Sequence, residues 1–161
     1  MPWTRRRTGV LGGSATGSRA RISPNDKPPQ RRALELENEC ADRVAEQGYR
    51  IHQNPTEQEI SESRRNTGDA GDPGRSPDFL IEGHVFDCYA PTAHKPVRGV
   101  WSEVSKKVDE GQAQRVTLNL QDWQGDLSAL QKQFDDWPLS DLKELVAVTR
   151  SGAIVQIVKR D

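Results

Sequence analysis

The phrase that most constrains the fold is "SPDFLIEGHVFDCYAPT", residues 76–92, together with the segment downstream of it. Two short apolar runs flank Glu82-Gly83, a two-residue turn of the kind that closes a β-hairpin. Next, "KPVRGVWSEVSKKVDEGQ" sets Val100, Val104 and Val108 at helical spacing and stops at Gly111, and "RVTLNL" (115–120) reads as a strand. A strand, a helix of about four turns and another strand make a parallel crossover, whereas the hairpin before them is antiparallel. The sheet must therefore be mixed and covered by helices.

The remaining elements fit around this core. "RRALELENECADRVAEQGYRI" (31–51) predicts a helix through Ala33, Glu37, Cys40, Ala41 and Val44, closed by Gly48, and a short strand at "YRIHQN". Residues 54–76 are polar and broken by Gly and Pro, which predicts a long mobile loop. Leu127, Leu130, Phe134 and Trp137 form the stripe of an amphipathic helix, and residues 142–159 close as a hairpin around Ser151-Gly152. The order α-β-β-β-α-β-α-β-β is an α/β (α+β) arrangement.

Charge is distributed unevenly. Residues 1–32 hold eight of the 23 basic residues but one of the 24 acidic ones, so a net charge of −1 conceals a basic segment on an acidic body. With no periodic apolar pattern, residues 1–31 are expected to be a disordered tail, dispensable for folding, ahead of a domain at 32–161. No stretch reaches the roughly 20 apolar residues that span a bilayer. The start has arginines without an apolar run behind them, so no signal peptide is expected. Cys40 and Cys88 both fall in apolar elements and are read as buried thiols of a protein made in a reducing cytoplasm.

Strands built for burial should not hold free carboxylates, yet Asp78 opens the first run of the hairpin and Asp87 sits inside the second. With Glu82-Gly83 as the turn, Asp78 lies opposite Asp87 on one face, Leu80 is opposite Val85, and Tyr89 follows Asp87 on that face. Moving the turn by one residue would oppose Asp78 with Tyr89 instead. Like charges facing each other persist when a cation lies between them, when one keeps a proton, or when both face water. Glu37 falls on the apolar face of the first helix, and Lys107 follows Val104 and Val100 at helical spacing. Glu37, Asp78, Asp87 and Lys107 are thus expected to converge on one sheet face, and such an oxygen donor set suits Mg²⁺ or Mn²⁺. Each residue taken singly also has a plain structural role: Asp78 ending a loop, Glu37 neutralising an arginine, Lys107 reaching to solvent.

The order of these acids, with "PDFLIEGHVFDCYAPT" followed by "GQAQRVTLNL", resembles the C-terminal tRNA-nuclease domain of CdiA-type contact-dependent inhibition toxins, over about residues 33–158. The resemblance implies a bacterial toxin domain that cleaves tRNA in the cytoplasm of a competitor and is silenced by a cognate immunity protein. Toxin nucleases of this class take at least two architectures. One is the restriction-endonuclease-like PD-(D/E)xK fold, metal-dependent, with an αβββαβ core. On it Asp78 and Asp87 fill the acidic positions, and Tyr89 stands where lysine belongs, a place Lys107 could supply from the next helix. The other is the metal-free barnase, colicin and RelE group, in which Tyr89, His84, His94 and Lys95 would assist attack by an RNA 2′-hydroxyl. A third possibility is a degenerate nuclease fold that binds a partner without catalysis. The leading expectation is a metal-assisted endoribonuclease with Glu37, Asp78 and Asp87 as ligands of Mg²⁺ and Tyr89 and Lys107 beside them.

Overall fold

The computed structural model describes residues 1–160. Seven strands form one sheet in chain order, β1 (Thr16–Gly17), β2 (Ile51–Gln53), β3 (Phe79–Ile81), β4 (His84–Tyr89), β5 (Arg115–Asn119), β6 (Glu144–Val148) and β7 (Ile154–Lys159). The pairs β1–β2, β4–β5 and β5–β6 are parallel, and the others are antiparallel, so the sheet is mixed. Four helices, α1 (Pro28–Glu46), α2 (Glu57–Thr67), α3 (Val97–Asp109) and α4 (Leu127–Asp136), cover it.

Alternation along the strands sorts these helices between two faces. Cys40, Ala41 and Val44 of α1 pack with Phe79, Ile81, Phe86, Val146 and Val148. Val100 and Val104 of α3 and Leu130 and Phe134 of α4 pack with Val116, Leu118, Leu145 and Ala147, the intervening residues of the same strands. Ile60 of α2 joins Val85 on this second side. Helices therefore sandwich the sheet, α1 on one face and α2 to α4 on the other. The register Phe79↔Phe86, Leu80↔Val85, Ile81↔His84 is the one set by a turn at Glu82-Gly83, and both turn residues have positive φ, 48° and 79°.

Two segments depart from the sequence expectations. Residues 54–76 are not simply a loop: α2 occupies half of them. Its start is a reciprocal cap in which Glu59 N donates to Thr56 Oγ1 (3.2 Å) and Thr56 N donates to Glu59 Oε1 (2.9 Å). Gly68, at φ 77°, ends it in the left-handed conformation. The short polar helix is held by its caps, by its one apolar residue, Ile60, and by polar contacts such as that of buried Ser63, whose hydroxyl donates to the Gly83 carbonyl at 2.6 Å.

Residues 1–31 are not a detached tail either. Trp3 is 6% exposed, tilted against the Tyr49 ring and edge-on to Phe86. Thr8 donates twice to the Glu82 carboxylate, through its N–H (2.6 Å) and its hydroxyl. Thr16–Gly17 extends the sheet as β1, so close to Gln53 that a Cβ at Gly17 would overlap its backbone. This segment is a strap ordered by tertiary contacts, not by local periodicity.

A carboxylate cluster where two strands part

The acids meet where the chain arrives at β3. Asp78 directly precedes β3, and its N–H donates to Asp87 Oδ1 at 3.2 Å. Asp78 Oδ2 accepts from Cys88 N at 2.9 Å. Each carboxylate thus receives a backbone N–H from the other's strand. Asp87, 1% exposed, pairs in register with Val116 and so lies on the α3 face. There Lys107 Nζ donates to its Oδ2 at 2.7 Å, and Gln112 Nε2 lies 3.4 Å from its Oδ1. Glu37 lies close enough to feel Asp78, Asp87 and Lys107. It comes from α1, on the opposite face, so the cluster is assembled around the parting of β3 from β4 and not on a single face as the sequence suggested.

Burial raises the Asp78 carboxyl well above its usual range, the nearby Asp87 and Glu37 charges raise it further, and only the Cys88 N–H works the other way. Burial also raises Glu37; the Asp87 charge adds to this, while Asp78 and Lys107 oppose it. Burial works against the Lys107 ammonium, but the charge and hydrogen bond of Asp87, helped by Asp78, hold its pKa above the ordinary lysine value. The site is short of cations: three acids face one lysine.

Among the described residues, no group of three or more His, Cys, Asp or Glu side chains is placed to hold a metal ion. Glu37, Asp78 and Asp87 therefore do not form the three-carboxylate cage expected from the sequence. The donors that remain, two hard carboxylates side by side and short of positive charge, suit Mg²⁺, which is commonly held by one or two carboxylates, waters and substrate phosphate.

The other expected residues separate. Tyr89 is on the Asp87 face, paired with Leu118 and packed in the apolar cluster; burial, with the nearby Glu103, pushes its hydroxyl up to about 12. His84 projects to the α1 face, with Nδ1 3.4 Å from Asp69 Oδ2, and His94 is exposed. Sequence reasoning missed Gln112, which holds Ser76 O (3.0 Å) and Asp87 together. Its one signal is its place just after Gly111, where the end of α3 turns back toward the hairpin.

A second ionic cluster lies on the α1 face. Arg115, 1% exposed, grips Asp69 with two nitrogens (2.8 and 3.1 Å) and donates to Glu144 Oε1 at 2.6 Å. Arg5 and Trp3 of the strap complete Glu144, each with a contact of 2.5 Å, and Lys143 Nζ reaches Asp69 at 3.0 Å.

A fold of seven mixed strands with buried acids at a strand end has relatives of known kind. Residues 75–154 match the contact-dependent growth inhibition CdiA C-terminal domain. Over 145 residues the chain is 31% identical to the tRNA nuclease CdiA-2 of Burkholderia pseudomallei (strain 1026b), which takes in 90% of this chain and 4% of that protein. The solved CdiA-CT/CdiI toxin and immunity complex from Burkholderia pseudomallei superposes with a TM-score of 0.75 at 30% identity, covering 89% of this chain and 98% of that one. This chain belongs to the family of CdiA C-terminal domains. It spans only a small part of the curated relative's length, and no helix among the described residues is long and apolar enough to cross a membrane.

Proposed function

We propose that this domain is a toxin-type endoribonuclease that hydrolyses a phosphodiester of tRNA with the help of a divalent cation, Mg²⁺ by donor chemistry, and that an immunity protein neutralises it. The carrying observation is the cluster itself: Asp78 and Asp87 in mutual contact, short of positive charge, with Lys107 2.7 Å from Asp87. The relative's name, tRNA nuclease, supports the substrate, and the neighbour's toxin and immunity complex supports the partner.

Asp78 and Asp87 would hold the cation, which would polarise the scissile phosphate and make water a better nucleophile. Lys107, kept charged by Asp87, is placed to neutralise charge that develops on the phosphate. Glu37, a carboxyl that burial raises above its usual range, would orient water beside the cation. Tyr89 has no proton to give up near neutrality, with its hydroxyl at about 12, and serves packing. Action in the cytoplasm of a target cell follows from the proposed substrate.

The test incubates the purified domain with total tRNA, with and without EDTA. Cleavage that EDTA abolishes and Mg²⁺ restores is the expected result. Cleavage that survives EDTA and leaves 2′,3′-cyclic phosphate ends would sink the metal-assisted mechanism and leave a metal-free ribonuclease. No cleavage of any RNA would point to a non-catalytic binding module.

A further inference from the structure

A cavity of about 710 Å³ opens between α2 and the loop that leads into β3. Its walls carry Arg64 and Arg65 of the helix and Arg75 of the loop, against one acid, Glu57; Ile60 and Pro73 supply apolar surface. On an acidic body, three guanidinium groups around one concavity are a local exception.

Arg64 is the unusual member. Its Nε is buried without a hydrogen-bond partner, while one Nη donates to the Gln112 carbonyl at 3.3 Å. Gly71 lies against the guanidinium: a Cβ there would overlap it. Burial lowers the Arg64 pKa, although Asp69 and Asp72 nearby favour its charge. A guanidinium stays charged in proteins. Arg64 is thus a charged side chain partly withdrawn from water at the cavity wall. Arg75 is held loosely, 3.6 Å from Glu110, and Arg65 donates to Ser61 Oγ at 2.9 Å on the surface.

The cavity is wired to the carboxylates. Gln112, whose carbonyl holds Arg64, donates from its side chain to Ser76 O and toward Asp87 Oδ1. Arg75 is three residues before Asp78, at most about 10 Å of extended chain.

We propose that the cavity receives an unpaired nucleotide of the RNA substrate next to the cleaved bond, with Arg64, Arg65 and Arg75 on its phosphate and its base against Ile60 and Pro73. The size is that of a small-ligand site, and base-on-side-chain packing with arginine on the backbone is how single strands are held without sequence reading. The inference rests on the RNA-cleaving reading above.

The experiment measures binding of fluorescein-labelled tRNA to the full chain carrying Asp87→Asn, by anisotropy across a NaCl series, beside cleavage kinetics in the unmutated background. Arg64→Gln and Arg75→Gln should each weaken binding about tenfold and flatten the slope of log K against log salt by roughly 0.7 per lost phosphate contact. Cleavage should show a raised KM with kcat nearly kept. Gly71→Ala removes no charge but displaces the Arg64 guanidinium, so it should weaken binding while the melting temperature holds. This keeps the test decisive if Arg64→Gln fails to fold. Folded variants that bind with unchanged affinity and slope, while the parent protein cleaves tRNA, overturn the cavity and leave the nuclease reading intact. Loss of binding to a protein partner with tRNA affinity unchanged overturns it too. A parent that neither cleaves nor binds any RNA ends both readings together.

Discussion

Asp87 and Arg115 occupy neighbouring strands of one sheet, each 1% exposed, yet their surroundings are opposite. Around Arg115 the charges are matched: Asp69 and Glu144 are met by Arg115, Arg5 and Lys143, and each acid takes several short hydrogen bonds. Around Asp87 they are not, with Glu37, Asp78 and Asp87 sharing Lys107. The carboxyl shifts record the contrast. Burial alone would raise Glu144 and Asp69, but hydrogen bonds from Arg5 and Trp3 to the first, and from His84, Arg115 and Lys143 to the second, bring both below the usual range. Glu37 and Asp78 are raised. A buried network with its partners present holds the fold together; one left short of a cation is where a ligand would complete it.

The largest effect should come from breaking the matched cluster. Arg115→Met leaves Asp69 and Glu144 buried without their shared cation, which should cost about 3–5 kcal/mol in urea unfolding. Trp3→Ala removes a buried ring and a donor to Glu144, for about 3 kcal/mol. Neither should alter cleavage per folded molecule. A small loss for Trp3→Ala would mean that the strap is an ornament and not part of the core.

Next in size is the loss of function at the unmatched cluster. Asp87→Asn keeps the shape and its backbone contact but removes the charge that Lys107 faces, so tRNA cleavage should fall about 100- to 1000-fold. Circular dichroism should find the fold intact. Full activity in this variant would move the chemistry elsewhere.

How much of this contrast was legible depends on how local its causes are. The hairpin register follows from two turn residues, so the apposition of Asp78 and Asp87 could be read directly. Glu37 and Lys107 lie beside the pair because helical spacing from Cys40 and Val104 points them inward; that Glu37 arrives from the other face could not be read, since spacing says nothing of which side a helix covers. The matched cluster was illegible: Asp69 and Arg115 are separated by 46 residues, and Trp3 and Glu144 by 141, with no period to connect them. α2 was legible and missed, since Thr56 and Glu59 spell a capping box that a Gly- and Pro-rich tract obscured.

The smallest effect is the most discriminating, because its sign separates the two clusters. A carboxyl raised above its unfolded value of about 4 contributes stability that is complete below that pH and lost as pH rises through the folded pKa. Glu37 and Asp78 are of this kind. Asp69 and Glu144, held low, contribute stability that is present above about pH 4 and lost as pH falls through their folded values. The wild-type domain should thus lose stability on the acid side through one cluster and shed some toward neutrality through the other. Asp78→Asn isolates the second. An amide oxygen can still accept from Cys88 N, and its NH₂ can donate to Glu37 or Asp87 without a proton having to be bound. Relief of the like-charge contact should raise stability at pH 7 by about 1 kcal/mol and flatten its decline between pH 4 and 7, with the acid limb untouched. Urea melts at pH 4 and pH 7 measure this directly. A variant less stable than wild type at pH 7 would mean that the acids already balance one another, and that the cluster has no missing cation to supply.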